Sequence, residues 1–207
     1  MPYRDLQEFA ETLERSGLLK RVKTEVDPEL EITEITDRVT KAGGPALLFE
    51  NVKGSIYPVI INTFGSYERM RLALEVDDID EIAGRLRDIL IPPDISGIRD
   101  KVSAAAKLLR LSNCFPKTVK TAPCQEIIDH EPDLCALPVL KCWPEDGGRY
   151  ITLPLVFTKD PVTGVQNVGM YRLQVFDRNT TGMHWHLHKD GAKNYESHLR
   201  GRKQMEV

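Results

Sequence analysis

Thr152-Leu153-Pro154-Leu155-Val156-Phe157, then Asp160-Pro161-Val162-Thr163-Gly164, then Val165-Gln166-Asn167-Val168-Gly169-Met170-Tyr171-Arg172-Leu173-Gln174-Val175, is the stretch on which the fold turns. Two apolar, β-branched runs flank five residues with Pro and Gly in turn-forming places, which predicts a β-hairpin laying Thr152–Phe157 beside Val165–Val175. The second run carries an amide, Asn167, and a cation, Arg172, among its apolar residues. Arg178-Asn179-Thr180-Thr181-Gly182 reads as the next turn. It leads into Met183-His184-Trp185-His186-Leu187-His188-Lys189, which holds three of the five histidines at i, i+2 and i+4. On a strand, alternate side chains share a face, so the three imidazoles are expected to line one side. Imidazole is the commonest ligand for transition metals and an Arg fork suits phosphate or carboxylate, so the two segments predict a site for a metal and an anion.

Upstream, the pattern changes. Leu6, Phe9, Ala10 and Leu13 fall at helical spacing before Gly17, and Leu19 to Val26 reads as a strand. A second helix is expected from Pro28 to Ala42 and closes at Gly43-Gly44. Ala46–Phe49 and Val59–Ile61 read as short strands. Helices are expected over Tyr67–Leu74, Ile79–Leu90 and Lys101–Leu111. After Asn113 the signals are β-type, with Cys124–Ile128 as a first strand. We place a boundary at residue 112, between an N-terminal α/β domain (1–112) and a β-rich domain (113–207), and assign the fold class α+β. Asn194–Lys203 reads as a helix, and Gln204–Val207 as the opening of a further strand. So few strands leave edges unpaired, and the chain reads as the N-terminal portion of something longer.

Composition narrows the function. A net charge of −3 over 207 residues gives no electrostatic case for nucleic acid or an anionic membrane surface. No apolar run approaches the ~20 residues of a membrane-spanning helix, and the N-terminus lacks a secretory pattern, which points to a cytoplasmic protein. Cys114, Cys124, Cys135 and Cys142 match no paired zinc spacing and read as reduced thiols packed as small hydrophobes.

Five ordered blocks now become specific. Pro123-Cys124-Gln125-Glu126, Trp143-Pro144-Glu145-Asp146-Gly147-Gly148, Ile151-Thr152-Leu153-Pro154, Asn167-Val168-Gly169-Met170-Tyr171-Arg172 and Gly182-Met183-His184-Trp185 through His188-Lys189 resemble the UbiD family. Gly44 to Val52 and Phe64-Gly65-Ser66 agree with its N-terminal part. The resemblance implies a non-oxidative, reversible decarboxylase (a carboxy-lyase) acting on aromatic or α,β-unsaturated carboxylic acids. Its cofactors would be prenylated FMN, a divalent Mn2+ or Mg2+ that holds the flavin phosphate, and a monovalent cation such as K+. It implies an incomplete, flavin-binding split β-barrel over 113–207, a flavin prenyltransferase as cofactor supplier, and a homo-oligomer.

By the same resemblance, Asn167 and His188 match metal ligands. Arg172 matches the catalytic arginine that orients the substrate carboxylate. Thr152, Met170, Tyr171, Leu187 and Lys189 match positions near the flavin. Two departures stand out. The third metal ligand and both catalytic glutamates of the family lie beyond Val207 in its order, and His184 and His186 match no ligand position. Two other readings compete: a small His-x-His metalloprotein, and a flavin- or metal-binding module that works with a separate partner chain.

Overall fold

The computed structural model describes residues 3–90, 97, 109 and 118–207. It is a mixed α+β fold of small sheets, none of them closed among the described residues. Two compact units divide the chain: Met1–Leu18 with Thr63–His130, and Leu19–Asn62 with Glu131–Val207. The boundary placed at residue 112, and all of Lys101–Leu111 except Leu109, lie outside the described residues.

In the first unit, α1 (Leu6–Arg15) starts where Asp5 accepts a hydrogen bond from the Glu8 amide at 2.9 Å, the usual work of an N-cap. It buries Phe9 and Leu13, and the Phe9 ring stacks on Phe64 with centroids 6.0 Å apart. Ser66 caps α3 (Tyr67–Leu74) in the same way, and α4 (Asp80–Leu90) follows. No helix among the described residues is long and apolar enough to cross a membrane.

The second unit holds the remaining sheets. β1 (Leu19–Val22) pairs in parallel with β2 (Ala46–Phe49), and β2 pairs antiparallel with β3 (Val59–Ile61). Parallel neighbours need a crossover, supplied by α2 (Glu31–Lys41). Ile32, Ile35 and Val39 lie on one helical stripe and pack against Leu47, Phe49, Val22, Val59 and Ile61. Leu140 joins the same core from far along the chain, tying the β-rich segment to this sheet.

α2 begins three residues later than its expected start at Pro28. The reason is a competing backbone pairing. Leu30 donates its amide to Lys141 O at 2.9 Å and Lys141 returns one to Pro28 O at 3.3 Å. Leu30 is thereby held at φ +70°, where a branched side chain is uncommon, and the helix starts after it.

The β-rich segment makes two small sheets. β4 (Arg149–Ile151), β7 (Leu173–Val175) and β8 (Thr181–Met183) form one. β5 (Leu155–Lys159) and β6 (Gln166–Met170) form the other, a hairpin whose pairs run from Leu155↔Met170 to Lys159↔Gln166. The expected hairpin is therefore present, but its first strand starts only at Leu155 and its second run splits in two. Pro154 has no amide to donate to a ladder, so the first strand begins after it. The second breaks at Tyr171-Arg172 between β6 and β7. Pro123–Gln125 forms one 3-10 turn instead of the strand expected at Cys124–Ile128. Cys124 and Cys135 are free and exposed rather than packed, and Cys114 lies outside the described residues. α5 (Asp190–Arg200) starts earlier than expected, and Gln204–Val207 forms no strand.

The turn is fixed by Asp160, whose Oδ1 accepts from the amides of Val162 at 2.8 Å and Thr163 at 2.7 Å. Those two amides hold its carboxyl below the ordinary aspartate value, because they stabilise the charged form. A depressed pKa contributes stability above the unfolded value of about 3.9 and loses it as pH falls through the lower folded value. Asp160→Asn should remove this acid-linked loosening of residues 155–170, seen as flatter amide protection factors at the hairpin as pH falls below about 4. In the core, Phe49 is fully buried, so Phe49→Ala should cost about 3–5 kcal/mol of unfolding free energy. Leu155→Ala, at an exposed position, should cost under about 1 kcal/mol in the same urea titration.

Candidate functional site

The two faces of the hairpin differ sharply. Residues directly opposite across an antiparallel pair share a face, so Leu155, Phe157, Val168 and Met170 lie together on one side, all exposed. Val156, Thr158, Asn167 and Gly169 lie on the other, and α5 packs over β5 and β6. Thr158 is only 1% exposed. A hydroxyl so deeply buried requires partners, and it has two: Asn194 Nδ2 of α5 donates to Thr158 Oγ1 at 2.9 Å, and Asn167 Nδ2 donates at 3.3 Å.

The second hydrogen of the Asn167 amide goes to Tyr171 Oη at 3.2 Å. Tyr171 Oη also accepts the backbone amide of Gly191, in the first turn of α5, at 2.9 Å. Its ring lies 5.4 Å from Trp185, which stacks on Tyr195 at 5.9 Å. Two glycines make room for it. A Cβ on Gly169 would come within 2.4 Å of the Tyr171 ring, and one on Gly191 would lie 2.5 Å from Trp185 and 2.9 Å from Tyr171. Any side chain at either position must push the ring aside. With both N–H groups of Asn167 engaged, its Oδ1 is left as an acceptor that no donor among the described residues reaches.

The histidines are arranged differently from the expected strand face. β8 ends at Met183, the last residue registered against β7, and His184–His188 follows as irregular chain and a turn. The imidazoles still form a row, with ring centroids 5.2 Å apart for His184 and His186 and 5.7 Å apart for His186 and His188. Among the described residues, no three His, Cys, Asp or Glu side chains come together to hold a metal. A self-sufficient three-histidine centre is thus not formed. His188 does lie just before α5, whose first turn is hydrogen-bonded to Tyr171 and through it linked to Asn167. Lys189 is the N-cap residue of α5 and its own side chain makes no capping hydrogen bond, while the Gly191 amide of the first turn is taken by Tyr171.

Arg172 points elsewhere. Its guanidinium carbon lies 4.5 Å above the Tyr150 ring of β4, a cation–π contact that holds the side chain without neutralising it. None of the ion pairs among the described residues uses Arg172. Its carbonyl accepts the His184 amide at 2.9 Å, tying the two segments together. Of the remaining expected site residues, Thr152 is exposed just after β4, Met170 is 62% exposed at the end of β6, and Leu187 is 95% exposed in the turn. Met170 and Tyr171 turn to opposite sides of the hairpin. Sequence reading missed Thr158, Asn194 and Gly191. Thr158 was within reach, because counting back from the Asp160–Gly164 turn sets it opposite Asn167.

The comparisons with known proteins agree with one another. The model of the 3-octaprenyl-4-hydroxybenzoate carboxy-lyase N-terminal domain matches residues 10–86, and that of the family's Rift-related domain matches residues 117–207. An uncharacterized protein of Archaeoglobus fulgidus is 50% identical over 196 residues, which is 94% of this chain and 40% of that protein. A solved structure of an evolved dimeric form of the UbiD-class enzyme HmfF from Pelotomaculum thermopropionicum, in complex with prFMN, matches with a TM-score of 0.77 and 28% identity, over 98% of this chain and 43% of that one. The closed form of the vanillic acid decarboxylase of Sedimentibacter hydroxybenzoicus matches with a TM-score of 0.76 and 32% identity, over 98% of this chain and 41% of the other. This chain spans about two fifths of the length of each of these relatives. Between them the two domain models account for most of the sequence, in the order in which the β-rich segment follows the β1–β3 sheet, and the chain belongs to the UbiD family.

Proposed function

We propose that this chain is the N-terminal portion of a reversible, non-oxidative decarboxylase of aromatic or α,β-unsaturated carboxylic acids. It would use prenylated FMN with a divalent metal, Mn2+ or Mg2+, and a potassium ion. Residues 1–112 would form the N-terminal domain, and 113–207 the first part of a flavin-binding split barrel. The observation that carries this reading is the state of Arg172: a guanidinium seated on the Tyr150 ring, with no carboxylate partner among the described residues. A planar cation held by its face and left open at its fork suits an incoming carboxylate, which it can engage through two parallel N–H···O bonds.

The donor set fits the metal as well. The amide oxygen of Asn167 and an imidazole nitrogen of His188 are neutral ligands, leaving coordination positions for phosphate oxygens and a carboxylate on an octahedral ion. The start of α5 beside Lys189 favours a negative group there through the helix dipole. Met170, Leu187 and Thr152 would meet the flavin through exposed surface, and Tyr171 through its backbone. Prenylated FMN, when bound, would supply the electron sink for the charge left on carbon as carbon dioxide departs. Arg172 binds and orients the carboxylate that is lost, and its charge tunes the proton-transferring glutamate proposed downstream. The protein would take its cofactor from a flavin prenyltransferase and act as a homo-oligomer in the cytoplasm.

Two tests follow, made in the enzyme at the length its gene encodes. Arg172→Lys keeps a charge and loses the fork, so bound flavin should be retained while kcat falls at least ~100-fold, roughly 2.7 kcal/mol of transition-state stabilisation. A surface arginine would tolerate Lys with a near-normal rate, and that result rejects the assignment. For the metal, His188→Ala should lower manganese and flavin content together in the purified protein. His186→Ala should leave both within about twofold, and equal losses from the two variants would reject His188 as the specific ligand.

A further inference from the structure

We infer that Tyr171 and Thr158 are positioning residues that set the rotation of the Asn167 amide, so that its oxygen and not its nitrogen faces the metal; the inference rests on Asn167 being a ligand, as proposed above. An asparagine amide is nearly symmetric in shape, and rotating it by half a turn swaps an acceptor for a donor. A divalent cation is bound by the oxygen and repelled by the NH2 group. Selecting the productive rotation therefore contributes directly to metal affinity, and something outside the metal must do it.

The structure supplies two acceptors where the NH2 group sits. Thr158 Oγ1 and Tyr171 Oη each take one Nδ2 hydrogen, at 3.3 and 3.2 Å. Each oxygen is also held by a second, shorter bond, and for Tyr171 the donor is a backbone N–H that cannot act as an acceptor. The Gly191 backbone N–H donates to Tyr171 at 2.9 Å, and the buried Asn194 amide donates to Thr158 at 2.9 Å. Tyr171 and Asn194 are 7% and 8% exposed, so water competes poorly for these bonds. The Tyr171 ring can take this place only because Gly169 and Gly191 lack side chains, since a Cβ on either would fall within 3 Å of it. The arrangement is the amide counterpart of a second hydrogen bond that fixes the tautomer of a metal-bound histidine.

The test is Mn2+ binding in the presence of FMN, measured by electron paramagnetic resonance of free Mn2+, on the enzyme at the length its gene encodes. Tyr171→Phe keeps the ring in its slot and removes only the oxygen, so it is the primary variant; Thr158→Val is the second and Thr158→Ser its conservative partner. Loss of one acceptor should weaken Mn2+ about 10-fold or more, in the range measured for outer partners of metal ligands, while Thr158→Ser should stay within about threefold. The decisive arm is rescue. Asn167→Asp presents an oxygen in either rotation, so adding Tyr171→Phe or Thr158→Val to it should cost less than about threefold. Equal losses in the Asn167 and Asn167→Asp backgrounds would show a merely structural role and overturn the inference. If Asn167→Ala weakens Mn2+ but neither Tyr171→Phe nor Thr158→Val does, the positioning role falls and the ligand stands. Should Asn167→Ala leave Mn2+ binding unchanged, the ligand assignment itself fails and takes the inference with it.

Discussion

The buried hydroxyl of Thr158 is the contact on which the second unit's site depends. It sits between two strands and a helix, and burying it without partners would cost on the order of 1–3 kcal/mol. Its partners come from both neighbours: Asn167 across the hairpin and Asn194 on α5. One oxygen therefore fixes the strand register, the docking of α5 and the placement of the Asn167 amide together. Tyr171 repeats the arrangement one step along, joining the same amide to the first turn of α5. Because α5 is bonded to both of these oxygens, shifting it against the hairpin disturbs two hydrogen bonds together.

The polarity of the hairpin is inverted relative to a simple amphipathic strand pair. Its covered face carries Thr158, Asn167 and Gly169 beside Val156, and its open face carries Leu155, Phe157, Val168 and Met170. A rule that sends apolar residues inward would slip the register by one and face every side chain the wrong way. What prevents the slip is local. Asp160 fixes the turn with two amides, and the Thr158–Asn167 pair gives the covered face a hydrogen bond that the slipped register cannot make.

These facts separate what was legible in the sequence from what was not. The β-hairpin was readable because turn chemistry at Asp160–Gly164 is short-range, and the α2 stripe because Ile32, Ile35 and Val39 repeat at helical spacing. The start of α2 was unreadable because Lys141, more than a hundred residues away, claims the backbone of Pro28 and Leu30. The histidine run was misread as a strand because alternation alone does not provide a neighbour to pair with, and the β7–β8 ladder runs out at Met183. Asn167, Arg172 and His188 stand out as candidates from their motif. Asn194 and Gly191 carry no motif, and their roles exist only once a helix has folded back on the hairpin.

Six residues, Asn167 to Arg172, send three chemical groups to distinct surroundings, and the strand break between Met170 and Leu173 makes this possible. Within β6, alternation places Asn167 and Gly169 on the covered face, and Tyr171, just past the ladder, continues on that side because glycine leaves space for its ring. Arg172 is next and turns the other way, onto Tyr150 of a different sheet. The Arg172 carbonyl still accepts the His184 amide at 2.9 Å, one step beyond the last registered β7–β8 pair. The interruption thus separates a half-buried amide and its buried phenol partner from an exposed cation only five residues from the amide. Coulombic repulsion between a guanidinium and a nearby divalent ion grows steeply as distance and effective dielectric fall. In the function proposed above, turning Arg172 away from the Asn167 face would let one short segment offer oxygen to a metal and positive charge to an anion without setting the two cations against each other.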